Sequence, residues 1–292
     1  SPTPEEDKLV ERLLGVAVPT REEMQEIEVS SRLYVENGVR YMTATLMCQS
    51  ESEAPKTTAV TFILAGHRLV TVRYDEPRPF ALVSAKLGRL CPATVTGESV
   101  LMDLLDAIID RAADILERIG AEVDIISHQI FEPTRRRANR SRTYHHILRT
   151  IGRKGDLTSK VRESLVSIGR LVVFLANEAD GMKWPKEMRA QLKVMQRDVH
   201  SLSDHATYLS NKITFLLDAM LGMVSIEQNN IIKLFSVAAV ALMPPTLIAS
   251  IYGMNFKHMP ELEWVFGYPF ALFLMVVAAV VPYVYFKWRG WL

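Results

Sequence analysis

LFSVAAVALMPPTLIASIYGMNF, residues 234–256, contains no Asp, Glu, Lys, Arg or His, and FGYPFALFLMVVAAVVPYVYF, residues 266–286, contains none either. A helix rises about 1.5 Å per residue, so each run is long enough to cross a hydrocarbon layer ~30 Å thick. These two runs decide the fold class, because a chain that closes on a pair of membrane helices must be organised around them. A soluble enzyme is already a poor fit.

Outside the runs the composition changes. The chain has 292 residues, of which 49% are hydrophobic and 23% charged, and its mean hydropathy of +0.09 is high for that charge content. The apolar excess sits in the two runs, while charged residues crowd the first 233 positions. With 34 Lys+Arg against 33 Asp+Glu the net charge is +1, which gives no reason to expect nucleic acid as a partner. Cys48 and Cys91 are too few for a disulfide framework and suit a reducing cytosol. The sequence starts Ser1-Pro2-Thr3-Pro4-Glu5 rather than with Met, which implies a missing N-terminal piece, and residues 1–30 hold nothing like a secretory apolar segment.

The first hundred residues read as mixed α and β. Arg21–Val29 carries Met24, Ile27 and Val29 among acids, the pattern of a short amphipathic helix. Ser31–Glu36 and Val39–Cys48 flank Asn37-Gly38, the pair favoured where both central residues of a two-residue hairpin need positive φ. Thr57–Leu64 and Leu69–Tyr74 form a second pair around Gly66. The expectation is an α+β domain with an antiparallel sheet. From Glu98 helical spacing takes over, with breaks expected near Pro133, Gly155 and Gly181–Pro185. Seven acids lie between Asp103 and Asp124, and ten Lys or Arg between Thr134 and Arg162, so the two helices should lie antiparallel with complementary faces or leave an acidic surface that collects cations. Pro185 suits a first helical position, and the helix it opens has no stop before Tyr252. Its apolar stripe, Leu192, Met195, Val199, Leu202, Leu209, Ile213, Leu216 and Leu217, suits packing against other such stalks.

Two spans cannot enclose a water-filled path, so conduction would require an oligomer. In the first span Asn229, Ser236, Met243, Thr246 and Ser250 recur on one side of a helix and make a weakly polar stripe. Hydroxyls in membrane helices often bond back to their own carbonyls, so the stripe alone decides little. Pro244-Pro245 removes two backbone donors at mid-span, and the carbonyls of Val240 and Ala241 are tolerated only where they meet water or protein. No carboxylate, His or Arg lies in the span, which suits a cation that keeps its hydration shell, as Mg2+ does. Ile232 and Phe235 near the mouth are apolar enough to close such a path by excluding water.

Tyr252-Gly253-Met254-Asn255-Phe256, continued by Met259-Pro260-Glu261-Leu262, resembles the signature of the CorA family of Mg2+ channels, Gly-Met-Asn at the outer end of the first span. The resemblance extends to Ile226-Glu227-Gln228-Asn229, Pro244-Pro245-Thr246, Gly267-Tyr268-Pro269 and Tyr285-Phe286-Lys287-Trp288. It implies a homopentameric, funnel-shaped channel in the bacterial inner membrane, transporting Mg2+, with Co2+ and Ni2+ as further cargo and no organic cofactor. On this resemblance Gly253, Met254 and Asn255 form the ion entrance, and Asn229, Ile232, Phe235, Ser236, Ala239, Met243, Thr246 and Ser250 line the pore. Gly253 would take a positive φ to end the helix. Asp218 matches the position of regulatory Mg2+ between subunits, with Asp75 or Glu76 as its partner.

The division implied is 1–97 as an N-terminal α/β domain, 98–184 as a helical hairpin region, 185–230 as a stalk, 231–252 and 266–286 as spans, 253–265 as an external loop and 287–292 as a basic tail. Lys233 precedes the first span and Lys287 and Arg289 follow the second, while the loop sets Lys257 and His258 against Glu261 and Glu263, so both termini should be cytosolic. Glu261 and Glu263 would concentrate cations outside. A zinc transporter resembling the ZntB branch is the alternative, although that branch resembles Gly-Ile-Asn where this chain has Met254. As for an enzyme, His145-His146 and scattered Ser make no nucleophile–base set, and no Walker-type loop is present.

Overall fold

In the computed structural model, which describes residues 3–52, 54–90, 95–131, 140–255, 259–260 and 264–291, Asn37 and Gly38 turn with φ of 51° and 78°. That turn joins β1 (Leu33–Glu36) to β2 (Val39–Cys48), and β3 (Lys56–Ala65) and β4 (Arg68–Arg73) complete an antiparallel sheet in chain order. The helices are α1 (Pro4–Leu14), α2 (Arg21–Gln25), α3 (Val29–Arg32), α4 (Arg78–Leu90), α5 (Gly97–Phe131), α6 (Arg140–Gly181), α7 (Lys186–Tyr252) and α8 (Gly267–Trp288). The chain divides into two compact units, Ser1–Asp218 and Ala219–Leu292.

In the first unit, strand alternation sends two sets of side chains to opposite faces of the sheet. Met42, Ala44, Val60, Phe62 and Leu64 share one face and are fully buried, with Phe62 stacked 6.1 Å from Phe80 of α4. The other face gathers Tyr41, Ile63 and Val72 against Val16 and Met24. Gly97 opens α5 so close to the β3–β4 turn that its N–H donates to the His67 carbonyl at 2.7 Å, and a Cβ there would stand 2.7 Å from the backbone of His67, Arg68 and Leu69.

Three expectations change. Arg21–Val29 is not one helix: Thr20 caps α2 with Glu23 in a reciprocal capping box, α2 ends at Gln25, and Ile27 turns outward, 87% exposed. No break occurs at Gly155, because α6 runs through it and uses the missing side chain to approach α7; a Cβ would meet Ile213 at 3.6 Å, and one at Gly169 would meet Val199 at 3.2 Å. The apolar stripe of α7 is covered within its own chain, since Leu192, Met195, Val199, Leu209, Ile213 and Leu216 are all buried in the first unit or at its edge. The break near Pro133 lies outside the described residues.

β1 pairs only with Val39–Met42, so from Thr43 onward β2 has an open edge. α6 covers it: Ser167 Oγ accepts from the Thr45 N–H at 2.9 Å, which satisfies a strand donor that would otherwise be orphaned. The expected charge match between α5 and α6 is met by Glu122 with Lys154, while Asp124 pairs with Lys212 of α7 and Asp103 with Lys86 of α4 at 2.9 Å. Asp106 has no such partner among the described residues, and burial, then Asp110 and Asp103, push its carboxyl above the usual value.

Candidate functional site

The second unit contains the upper part of α7 and all of α8, both long and apolar enough to cross a membrane. Its apolar side chains are mostly exposed, which makes the few covered ones informative. On α7 Val237 is buried and Ala241, Pro244 and Ile248 are half-buried, a spacing of three to four residues that marks one side of the helix. On α8 Ala271 is buried, and Gly267, Met275, Ala278 and Pro282 are half-buried on its side of the helix. Small residues at these positions allow two membrane helices to approach closely. This face of α8 is a feature the sequence reading missed; Gly267 and Ala271, four apart, were its signal.

The expected pore residues lie on the other side of α7. Asn229, Ile232, Phe235, Ser236, Ala239, Met243, Thr246 and Ser250 are all exposed, and they centre opposite Val237 and Ile248. Thr246 donates its hydroxyl to the Leu242 carbonyl at 2.8 Å, so it bonds back to its own helix and keeps only acceptor capacity outward. α7 continues through Pro244-Pro245, whose missing N–H groups leave the Val240 and Ala241 carbonyls without their usual helical partners.

At the end of α7 the Gly253 N–H donates to the Ala249 carbonyl at 2.9 Å and the Met254 N–H to the Ile251 carbonyl at 3.2 Å. Gly253 does not take the expected positive φ: only Gly15, Gly38, Gly66 and Gly290 do so among the described glycines. The helix closes by a right-handed last turn instead, and a Cβ at Gly253 would stand 3.1 Å from the Ala249 oxygen. Met254 and Asn255 follow, both exposed beyond the helix. Glu261 and Glu263, with Lys257 and His258, lie outside the described residues. At the opposite end Lys233 Nζ lies 6.0 Å from the centre of the Trp291 ring, and Arg289 lies over Tyr285 at 5.6 Å, so the start of the first apolar run and the residues after the second are at one level.

The expected regulatory carboxylates are in the first unit. Asp218 is exposed, and Glu76 is too. Asp75 is engaged by Lys56 at 2.6 Å, and that hydrogen bond holds its carboxyl below the usual range. Among the described residues no three His, Cys, Asp or Glu side chains of one chain come together to hold a metal ion.

Residues 1–288 match the family described as CorA-like Mg2+ transporter protein. A magnesium transport protein CorA of Pasteurella multocida is 35% identical over 291 residues, which cover 100% of this chain and 90% of that protein. The complete structure of the CorA magnesium transporter from Methanocaldococcus jannaschii superposes with a TM-score of 0.79 at 19% identity, covering 100% of this chain and 89% of that one. The cytoplasmic domain of ZntB from Vibrio parahaemolyticus shares the fold more distantly, with a TM-score of 0.57 at 10% identity over 76% of this chain and 84% of that one. With two membrane-length helices, a sheet domain of the same fold and a family match along nearly its whole length, the chain belongs to the CorA-like Mg2+ transporter family, whose members are transporters and not enzymes.

Proposed function

We propose that this chain forms a homopentameric channel for hydrated Mg2+ in a bacterial inner membrane, with both termini in the cytosol. Residues 231–252 line the path and 266–286 surround it; 253–265 is the external loop, 185–230 the stalk, 1–97 and 98–184 the cytosolic domain and 287–292 its basic tail. The observation that carries the reading is the orientation of α7, whose weakly polar stripe points away from the side covered in its own unit and is free to face an axis shared with other copies. The magnesium transport proteins it resembles at 35% identity support the choice of ion. Asn255 offers an amide oxygen to the water molecules on the ion, and a ring of five would accept from several at once. Glu261 and Glu263 raise the local cation concentration at the entrance.

An inward-negative potential gives a divalent ion about 4.6 kcal/mol per 100 mV, enough to drive uptake without ATP. Ile232 and Phe235 close the path by dewetting, and intracellular Mg2+ holding Asp218 to Asp75 or Glu76 of a neighbouring subunit favours the closed state. The Asp75–Lys56 pair makes Glu76 the readier of the two partners. Co2+ and Ni2+ pass by the same outer-sphere recognition, with no organic cofactor involved.

Ion uptake into proteoliposomes under an imposed potential tests the reading. Mg2+ should enter, Asn255→Ala should abolish entry, and Phe235→Ala should raise leak in the presence of internal Mg2+. Entry of Zn2+ without Mg2+ would move the assignment to a ZntB-like zinc transporter, and absence of either flux from intact oligomers would reject the channel.

A further inference from the structure

An open pocket lies where β1 stops short, between the connection from α2 to α3 and the edge of β2 that α6 covers. Arg32, Arg162 and Arg170 line it, against one acidic residue, Glu163. Arg32 is fixed in place: its Nε donates to the Glu26 carbonyl and its Nη1 donates to Thr45 Oγ1 at 3.0 Å. Arg162 and Arg170 have no ion pair or hydrogen bond among the described residues. Among its lining residues the site therefore holds an excess of two positive charges. Burial, opposed in part by Glu163, and the charge of Arg170 make protonation of Arg32 harder than usual, so the guanidiniums feel one another across the pocket.

Beside the arginines the lining combines the hydroxyls of Thr43, Thr45, Ser159 and Ser167 with an aliphatic rim. Ile27, thrown outward by the break after α2 and 87% exposed, stands with Val29, 45% exposed, and Val166, 42% exposed, on the rim of the same pocket. Exposed aliphatic side chains beside unpaired arginines give a site with two parts. The arginines suit a group with several anionic oxygens, because guanidinium donors bind phosphate oxygens in pairs and a single carboxylate offers only two acceptors. The aliphatic wall suits a flat or apolar organic portion next to that group.

We propose that this pocket binds a small organic phosphate of nucleotide size, with its phosphates on Arg32, Arg162 and Arg170 and its organic part on Ile27, Val29 and Val166. The site is in the first unit and does not depend on the pore reading.

The test is calorimetric titration of the purified full-length protein with ADP, inorganic phosphate and citrate, in metal-free buffer so that no carboxylate–metal site contributes. Saturable ADP binding is expected, weakened about tenfold by each of Arg162→Gln and Arg170→Gln. Val166→Trp, which fills the pocket without altering its charge, should weaken ADP binding while leaving oligomer size and the melting temperature unchanged. Phosphate binding as tight as ADP would overturn the organic half of the site, and citrate binding as tight would overturn the choice of phosphate. ADP binding that is absent, or that all three substitutions leave unaltered, would overturn the proposal outright.

Discussion

Val60, Phe62, Leu64 and Leu105 in the first unit are at most 1% exposed, whereas Leu247, Phe273, Val276 and Val281 in the second are between 60% and 64% exposed. Residues of the same kinds thus lie inside one unit and outside the other. Hydrophobicity alone does not account for this, since the side chains are alike; what differs is the surrounding medium. In water, burying apolar surface stabilises the fold and the interior fills with large side chains. In lipid that gain is absent between helices, so the covered positions of the second unit go to residues that let backbones approach, such as Gly267, Ala271 and Ala278.

The largest expected effect sets the two media against each other with one substitution. Phe62→Ala should cost about 3–5 kcal/mol, from lost burial and the cavity left behind. Phe273→Ala, at a side chain 64% exposed, should change the stability of the detergent-solubilised protein by no more than about 0.5 kcal/mol. Thermal unfolding of the two variants beside the parent measures both. A Phe273 loss as large as that of Phe62 would break the comparison, because it would mean that protein rather than lipid covers the outer face of α8.

A smaller effect should be equal in both units, which would sharpen the contrast by showing what does not depend on the medium. Gly97→Ala puts a Cβ 2.7 Å from three backbone atoms of the β3–β4 turn. Ala271→Leu adds three carbons where the side chain is only 6% exposed. Overpacking costs about 1–3 kcal/mol in either case, because steric repulsion is the same in lipid and in water. The same melting experiment reads both. A neutral Ala271→Leu would show that the covered face of the second unit is loosely packed.

What could be read from sequence follows the range of the forces involved. The Asn37-Gly38 hairpin, the two apolar runs and the long α7 depend on residues close in sequence, and each was legible. The capping box of Thr3 with Glu6 was equally local and shows that α1, too, was open to reading. Arg21–Val29 has helical periodicity throughout, yet α2 ends at Gln25, Ile27 turns outward, and Arg32 bonds to Glu26 and Thr45 beyond the break. Gly155 has the composition of a breaker, yet where two helices touch a glycine does the opposite. The stripe on the first span is legible through its 3.5-residue spacing, whereas the partner proposed for Asp218 would lie in another copy, far from it in sequence, and no pattern within one chain identifies it.

The smallest effect concerns the acidic face of α5. The Asp106 carboxyl is pushed above its ordinary value of 3.8 first by burial and then by Asp110 and Asp103, with Asp198 of α7 adding and Lys86 subtracting. A folded-state value raised in this way means that the stability tied to the proton is present in full below pH 3.8 and is lost as pH rises through the folded value. At neutral pH the ionised group therefore opposes folding, and Asp106→Asn should raise the melting temperature slightly. The gain should shrink as pH falls into the carboxylate range, where the parent recovers its proton, and should shrink again with added salt, which screens Asp103, Asp110 and Asp198. Melting curves from pH 3 to 8, at low and high ionic strength, check the sign. A gain independent of both would assign the effect to packing and would remove this face as a site of electrostatic strain in the first unit, leaving burial as the sole organising term on that side of the comparison.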